Sequence, residues 1–425
     1  MTNKEKNYAL PIIMMFALFF MISFVTGLQN PMGIIVKNQF GASNFMSQLG
    51  NAANFIAYAF MGIPAGILLQ KIGYKKTALL AIIVGLFGVG IQYLSGGMES
   101  FVTYLMGAFV SGFSMCMLNT VVNPMLNTLG GGGKKGNILL QLGGSINSMG
   151  ATIVPVLVGY LIGNASRATI KEANPALFLA MGIFVLAFIV LLLVNIPEPF
   201  LDKKEKIEGK YSAFSFRHFC LGVVSIFIYV GIEVGIPNTA NLFMTSAPDK
   251  GGLGIDPTVA GTVVGTYWFL MLIGRLVGAS LGARISSKAM LAFTSLLGLL
   301  FILLAIISPI SSTVSMPVFK SDISLGFAEL PITIVFFILC GLCTSVMWGG
   351  IFNLAVEGLG KYTSAASGIF MMMVCGGGIL PLIQNYFADL FGFLSSYWLI
   401  IIEFGYILYY ALIGSKNINK DIPIN

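Results

Sequence analysis

Twelve apolar stretches, each about long enough to cross a lipid bilayer, decide what this chain can fold into. They lie near 10–36, 48–70, 77–95, 101–127, 136–163 and 175–195. A second set lies near 217–245, 258–283, 288–307, 331–355, 363–388 and 395–413. A hydrocarbon core about 30 Å thick takes roughly 20 helical residues per crossing. Hydrophobic residues make up 57% of the 425 and charged residues only 9%. A soluble domain of this size could not hide that much apolar surface. The short alternating segments of a lipid-facing β-barrel are missing from the sequence. The expected fold is therefore an all-α membrane protein with twelve transmembrane helices. The first run follows Lys4 and Lys6 without a small-residue cleavage site, so it reads as a retained helix rather than a signal peptide.

The net charge of +7 would suit a nucleic-acid partner, but its distribution points to a bilayer instead. With both termini cytoplasmic, seventeen Lys and Arg fall in cytoplasmic segments. Five fall outside: Lys37, Arg167, Lys171, Lys250 and Lys320. Arg275 alone lies within a span. Positive charge gathers on the cytoplasmic side of membrane proteins. The expectation is a multi-pass monomer of the plasma membrane (a bacterial inner membrane), with both termini inside and no nucleic-acid partner.

Cys116, Cys220, Cys340, Cys343 and Cys375 all fall within spans and read as small packing residues. The single histidine, His218, opens the seventh span. No nucleophile–base pair or metal-ligand set is visible in the spans, so neither an enzyme nor a cofactor is expected. No Walker-type phosphate loop points to an ATP-driven pump.

The longest polar stretch, 196–216, divides 1–195 from 217–425, six spans from six. The halves repeat. Gly62, Gly66 and Lys76 recur 212 residues later as Gly274, Gly278 and Lys288; Gly150 and Pro155 recur 226 residues later as Gly376 and Pro381. Two related six-helix bundles are the pattern of the major facilitator architecture, whose solute site lies where the halves meet. Pro31, Pro124, Pro155, Pro237 and Pro381 interrupt the first, fourth, fifth, seventh and eleventh spans. Each frees a backbone carbonyl. In lipid such a carbonyl is tolerated only against protein or a wet cavity, so these helices are expected to line one.

Polar side chains concentrate there. Gln29 and Asn30 lie in the first span, Asn119 and Asn123 in the fourth, Gln141 and Asn147 in the fifth, and Asn238 in the seventh. Trp268, Trp348, Asn353 and Gln384 follow in later spans. Amides both donate and accept hydrogen bonds. Together with aromatic faces they suit a neutral polyhydroxylated solute, and these eleven residues form the expected substrate-binding set. Helix–helix hydrogen bonding is the competing use of each amide.

Three charges inside the spans carry further expectations. Arg275 lies about 13 Å from the cytoplasmic edge and Glu357 about 6 Å, at ~1.5 Å per residue. They are expected to pair as a structural gate. Glu233 lies about 24 Å from the cytoplasmic start of its span by the same rise. That distance puts it out of easy reach of Arg275 and marks it as an unpaired acid, the coupling candidate. Glu403, alone in the last span, receives no role.

These segments carry a resemblance. Asn119-Thr120-Val121-Val122-Asn123-Pro124, Asn147-Ser148-Met149-Gly150 and Tyr229-Val230-Gly231-Ile232-Glu233-Val234 belong to it. So do the stretches from Tyr267-Trp268 to Gly274-Arg275 and from Met347-Trp348 to Thr363-Ser364. Together they resemble the fucose–galactose–glucose:proton symporter family over nearly the whole chain. The resemblance implies a major facilitator fold and uptake of a monosaccharide such as fucose, glucose or galactose; the expected mechanism is alternating access, and a proton or sodium is the candidate co-transported ion. Three positions depart from that family. Gln29-Asn30 stands where it usually has Asn-Asp, Asn119-Thr120 where it has Glu-Thr, and Gly144 where it tends to have Gln. An amide does not titrate, so proton coupling through Asn30 or Asn119 is excluded. The expected function is secondary active or facilitative transport of a small neutral polar solute. A carrier of a non-sugar metabolite and a non-transporting solute receptor are the alternatives.

Overall fold

A computed structural model describes residues 8–40, 44–162, 169–198, 211–319, 324–419 and 421–424. The side chains of Gln29, Asn30, Pro31 and Pro155 lie outside the described residues, as does most of the 196–216 connection.

The described helices make twelve rods of membrane length. Span one is Ala9–Gln39. Spans two and three share the continuous segment Asn44–Met98, which bends back on itself at Gly73. Spans four to nine are Phe101–Leu129, Gly133–Ile162, Asn174–Leu193, Arg217–Thr245, Pro257–Leu281 and Ser287–Ile307. Span ten joins Ile332–Thr344 to Met347–Val356, and span eleven joins Thr363–Met372 to Gly376–Phe391. Span twelve runs from Phe393–Tyr409 into a π-helical turn, Tyr410–Gly414.

The turn at Gly73 shows how the sequence makes such a bend. Its φ of 83° lies where side chains with a Cβ rarely go. The new helix then starts with unpaired backbone N–H groups. The Glu198 carboxylate, after span six, accepts from the N–H of Tyr74 (2.7 Å) and of Lys75 (2.9 Å). An anion is favoured at that helix end. Lys75 in turn donates its Nζ to the carbonyls of Leu192 and Val194, each at 2.8 Å, closing the end of span six. Two neighbouring helix ends thus satisfy each other's orphan groups.

A two-stranded antiparallel hairpin follows span nine, with β1 at Thr313–Phe319 and β2 at Leu325–Pro331. Thr313 pairs with Pro331 and Phe319 with Leu325. It lies outside the twelve apolar runs, where the sequence predicts only a connection.

The halves meet along two seams, span five against span eight and span two against span eleven. At Gly62, Gly66 and Gly368 the second seam is backbone on backbone. A Cβ at Gly62 would sit 2.5 Å from the Met372 backbone, and one at Gly368 would sit 2.7 Å from the Gly62 carbonyl. Small residues permit such approach where lipid gives no hydrophobic drive for association.

Candidate functional site

A cavity of about 170 Å³ opens between the halves. Span one contributes Phe19, Ile22, Thr26 and Gly27. Span two contributes Asn51, Phe55 and Tyr58, span four Asn119, and span five Gly144, Asn147 and Ala151. From the other half come Val230, Glu233, Val234 and Asn238 of span seven. Trp268 and Arg275 of span eight, Trp348 of span ten and Val374 of span eleven complete the lining.

Arg275 is the electrostatic centre of this space. Only 5% of it is exposed. Its Nη2 pairs with Glu233 Oε1 at 3.1 Å. Its Nη1 donates to the Gly144 carbonyl and to Ser148 Oγ, each at 2.6 Å, and its Nε to the Ser345 carbonyl at 3.2 Å. Ser345 sits at the break in span ten, where the helix has stopped using its own carbonyl. One guanidinium therefore joins spans seven, eight and ten to span five of the opposite half. Gly144 leaves the arginine room: a Cβ there would lie 3.2 Å from Arg275 Cδ, a tight contact that would require a shift of a few tenths of an ångström.

This geometry corrects two expectations. Arg275 pairs with Glu233, not Glu357, and Glu233 is not an unpaired acid. Glu357 is exposed at the end of span ten, where its carbonyl meets His218 Nε2 at 2.9 Å. The gate pair does not form, because every guanidinium nitrogen of Arg275 is engaged deeper in the bundle.

A second network crosses the halves. Trp348 Nε1 donates to Asn123 Oδ1 at 2.9 Å. Asn123 Nδ2 donates to the Asn119 carbonyl at 2.8 Å. Asn119 Nδ2 donates to the Met115 carbonyl (3.1 Å) and to the Tyr58 hydroxyl (3.0 Å). Asn147 Nδ2 reaches the Phe19 carbonyl at 3.3 Å.

Of the eleven expected binding residues, the structure brings Asn119, Asn147, Asn238, Trp268 and Trp348 to the cavity. The side chains of Gln29 and Asn30 lie outside the described residues. The other four stand elsewhere. Asn123 is buried behind Asn119. Gln141 donates its Nε2 to the Val346 carbonyl at 3.0 Å, bolting span five to span ten. Asn353 donates to Ser287 Oγ at 3.0 Å, tying span ten to span nine. Gln384 is buried against Gly235, with neither amide atom bonded to protein. In each case the amide serves, or is enclosed by, a helix–helix contact. Among the lining residues not expected from the sequence, Asn51, Phe55 and Tyr58 come from span two. Their spacing of four and then three residues places them on one helical face, a signal hidden by the apolar run around it.

Comparison with known proteins agrees with this architecture. The family model of the Major Facilitator Superfamily matches residues 15–380. A glucose/galactose transporter of Brucella abortus biovar 1 (strain 9-941) is 32% identical over 426 residues, covering 98% of this chain and 97% of that protein. An L-fucose-proton symporter of Escherichia coli (strain K12) is 23% identical over 416 residues, covering 92% and 89%. The crystal structure of the transporter FucP in the outward conformation superposes with a TM-score of 0.78 at 20% identity, over 96% of this chain and all of that one. Twelve spans, a cavity between the halves and similarity along almost the full length lead to one conclusion: the chain belongs to the Major Facilitator Superfamily, within the fucose–galactose–glucose:proton symporter family.

Proposed function

We propose that this protein carries a neutral monosaccharide across the bacterial inner membrane by alternating access, with both termini in the cytoplasm. Residues 1–195 and 217–425 are the two moving bodies. The observation that carries this reading is the make-up of the cavity. One wall offers amides and hydroxyls, the other two indole faces and an arginine whose charge is matched by Glu233 at 3.1 Å. No net charge is left there to demand an ionic solute, and amides answer a sugar hydroxyl as donor or acceptor. The names of the glucose/galactose and L-fucose relatives support the same substrate class.

Coupling runs through Glu233, the acid among the cavity-lining residues. Protonation removes the charge that holds Arg275 on that side. Arg275 also bonds Gly144 and Ser148 across the interface, so the proton bears directly on how tightly the halves are joined. The test is uptake of D-glucose, D-galactose and L-fucose into proteoliposomes with imposed proton or sodium gradients. Accumulation of a sugar under a proton gradient is the expected result. Binding without flux would make the protein a receptor, and flux without accumulation under either gradient would make it a facilitator.

A further inference from the structure

We infer that Tyr58 is a specificity-determining residue that donates its phenolic hydrogen to one oxygen of the bound sugar; this rests on the sugar-carrier reading above. The argument is one of hydrogen-bond polarity. The indole N–H of Trp348 can only donate, so the Asn123 atom facing it at 2.9 Å is the carbonyl oxygen. The other end of that amide faces the Asn119 backbone carbonyl, which can only accept, so it is the NH2. Both ends agree. Asn119 is fixed the same way, because its NH2 faces the acceptor-only Met115 carbonyl at 3.1 Å.

The second hydrogen of that NH2 goes to the Tyr58 oxygen at 3.0 Å. Tyr58 is therefore an acceptor towards the protein, and its own proton has no acceptor among the described residues. The ring is held by stacking on Phe55, at 6.3 Å between centroids and 27° between planes. The residue lines the cavity. A fixed phenol with an uncommitted proton beside a solute space is a directed donor. The matching substrate feature is an oxygen lone pair.

The amide at position 119 sets this polarity. A carboxylate there would accept the phenol's proton and turn the donor away from the solute. Asn119 thus exchanges a titratable group for a fixed donor on its neighbour.

The experiment measures sugar affinity by intrinsic tryptophan quenching, with thermal melting as the folding control. The unmodified protein is first titrated with D-glucose, D-galactose and L-fucose. The best binder is then compared with its monodeoxy and deoxyfluoro analogues, one position at a time. At one position the unmodified protein should bind hydroxyl best, fluorine next and hydrogen worst, because fluorine still accepts weakly. The deoxy penalty there should be about three- to tenfold, the range of one neutral hydrogen bond.

In Tyr58→Phe that penalty should vanish while those at other positions stay. Asn119→Asp, nearly the same shape, should abolish the same penalty, and the double variant should add nothing further. Penalties unchanged in Tyr58→Phe, or in a folded Asn119→Asp, would overturn the assignment while leaving the sugar reading intact. No binding of any parent sugar would overturn both.

Discussion

The two walls of the cavity are made of different chemistry. The wall from the first half is neutral: Asn51, Asn119, Asn147, Tyr58 and Thr26 offer amides and hydroxyls. The wall from the second half holds the Glu233–Arg275 pair, flanked by Trp268 and Trp348. A neutral wall reads the shape and hydroxyl pattern of a solute without altering its own charge. A charged wall changes state when a proton arrives. On the function proposed above, hydroxyl recognition falls to the neutral wall, stacking and coupling to the charged one, and each variant below bears on that division.

The largest effect belongs to the charged wall. Arg275→Ala leaves Glu233 without its partner and removes three further bonds. Breaking a buried ion pair from one side costs about 3–5 kcal/mol. A large drop in detergent melting temperature is expected, where Asn119→Ala should cost far less. Equal losses would dissolve the contrast. Glu233→Gln comes next, read in transport rather than stability. Accumulation against a gradient should disappear while sugar counterflow persists. Accumulation that survives would take coupling away from this wall.

Asn119→Ala tests the neutral wall. It should weaken sugar binding by about 0.5–1.5 kcal/mol, one hydrogen bond's worth, and do so equally with and without a proton gradient. A defect confined to gradient-driven uptake would move coupling to the neutral wall. The smallest effect is Asn353→Ala. Its bond to Ser287 lies outside the cavity, so about 1 kcal/mol of stability should go while sugar affinity stays put.

The fold was legible because lipid is a severe solvent: each crossing must be long and apolar, so counting runs counts helices. Legibility fell where a residue's direction mattered. Asn119 and Asn147 line the cavity while also bonding neighbouring helices, whereas Gln141 and Asn353 bond neighbouring helices away from it. All four are amides in spans, and nothing in their identity separates the two uses. Depth along one axis misled in the case of Arg275. Spans tilt by about 20° on average and the arginine side chain is long, so two groups estimated to be apart meet at 3.1 Å. Glu357 looked nearer in depth but lies on an exposed turn.

The seam where Gly62 and Gly66 meet Gly368 has a mechanical consequence. Interlocked side chains act as gear teeth: to roll one body over another, each tooth must first be lifted out. Here the touching surfaces are bare main chain, closer to a plain bearing than to a gear. A methyl at Gly368 would act as a wedge, prising span eleven from span two along this seam. Turnover should then slow while the occupied cavity still holds its sugar as before.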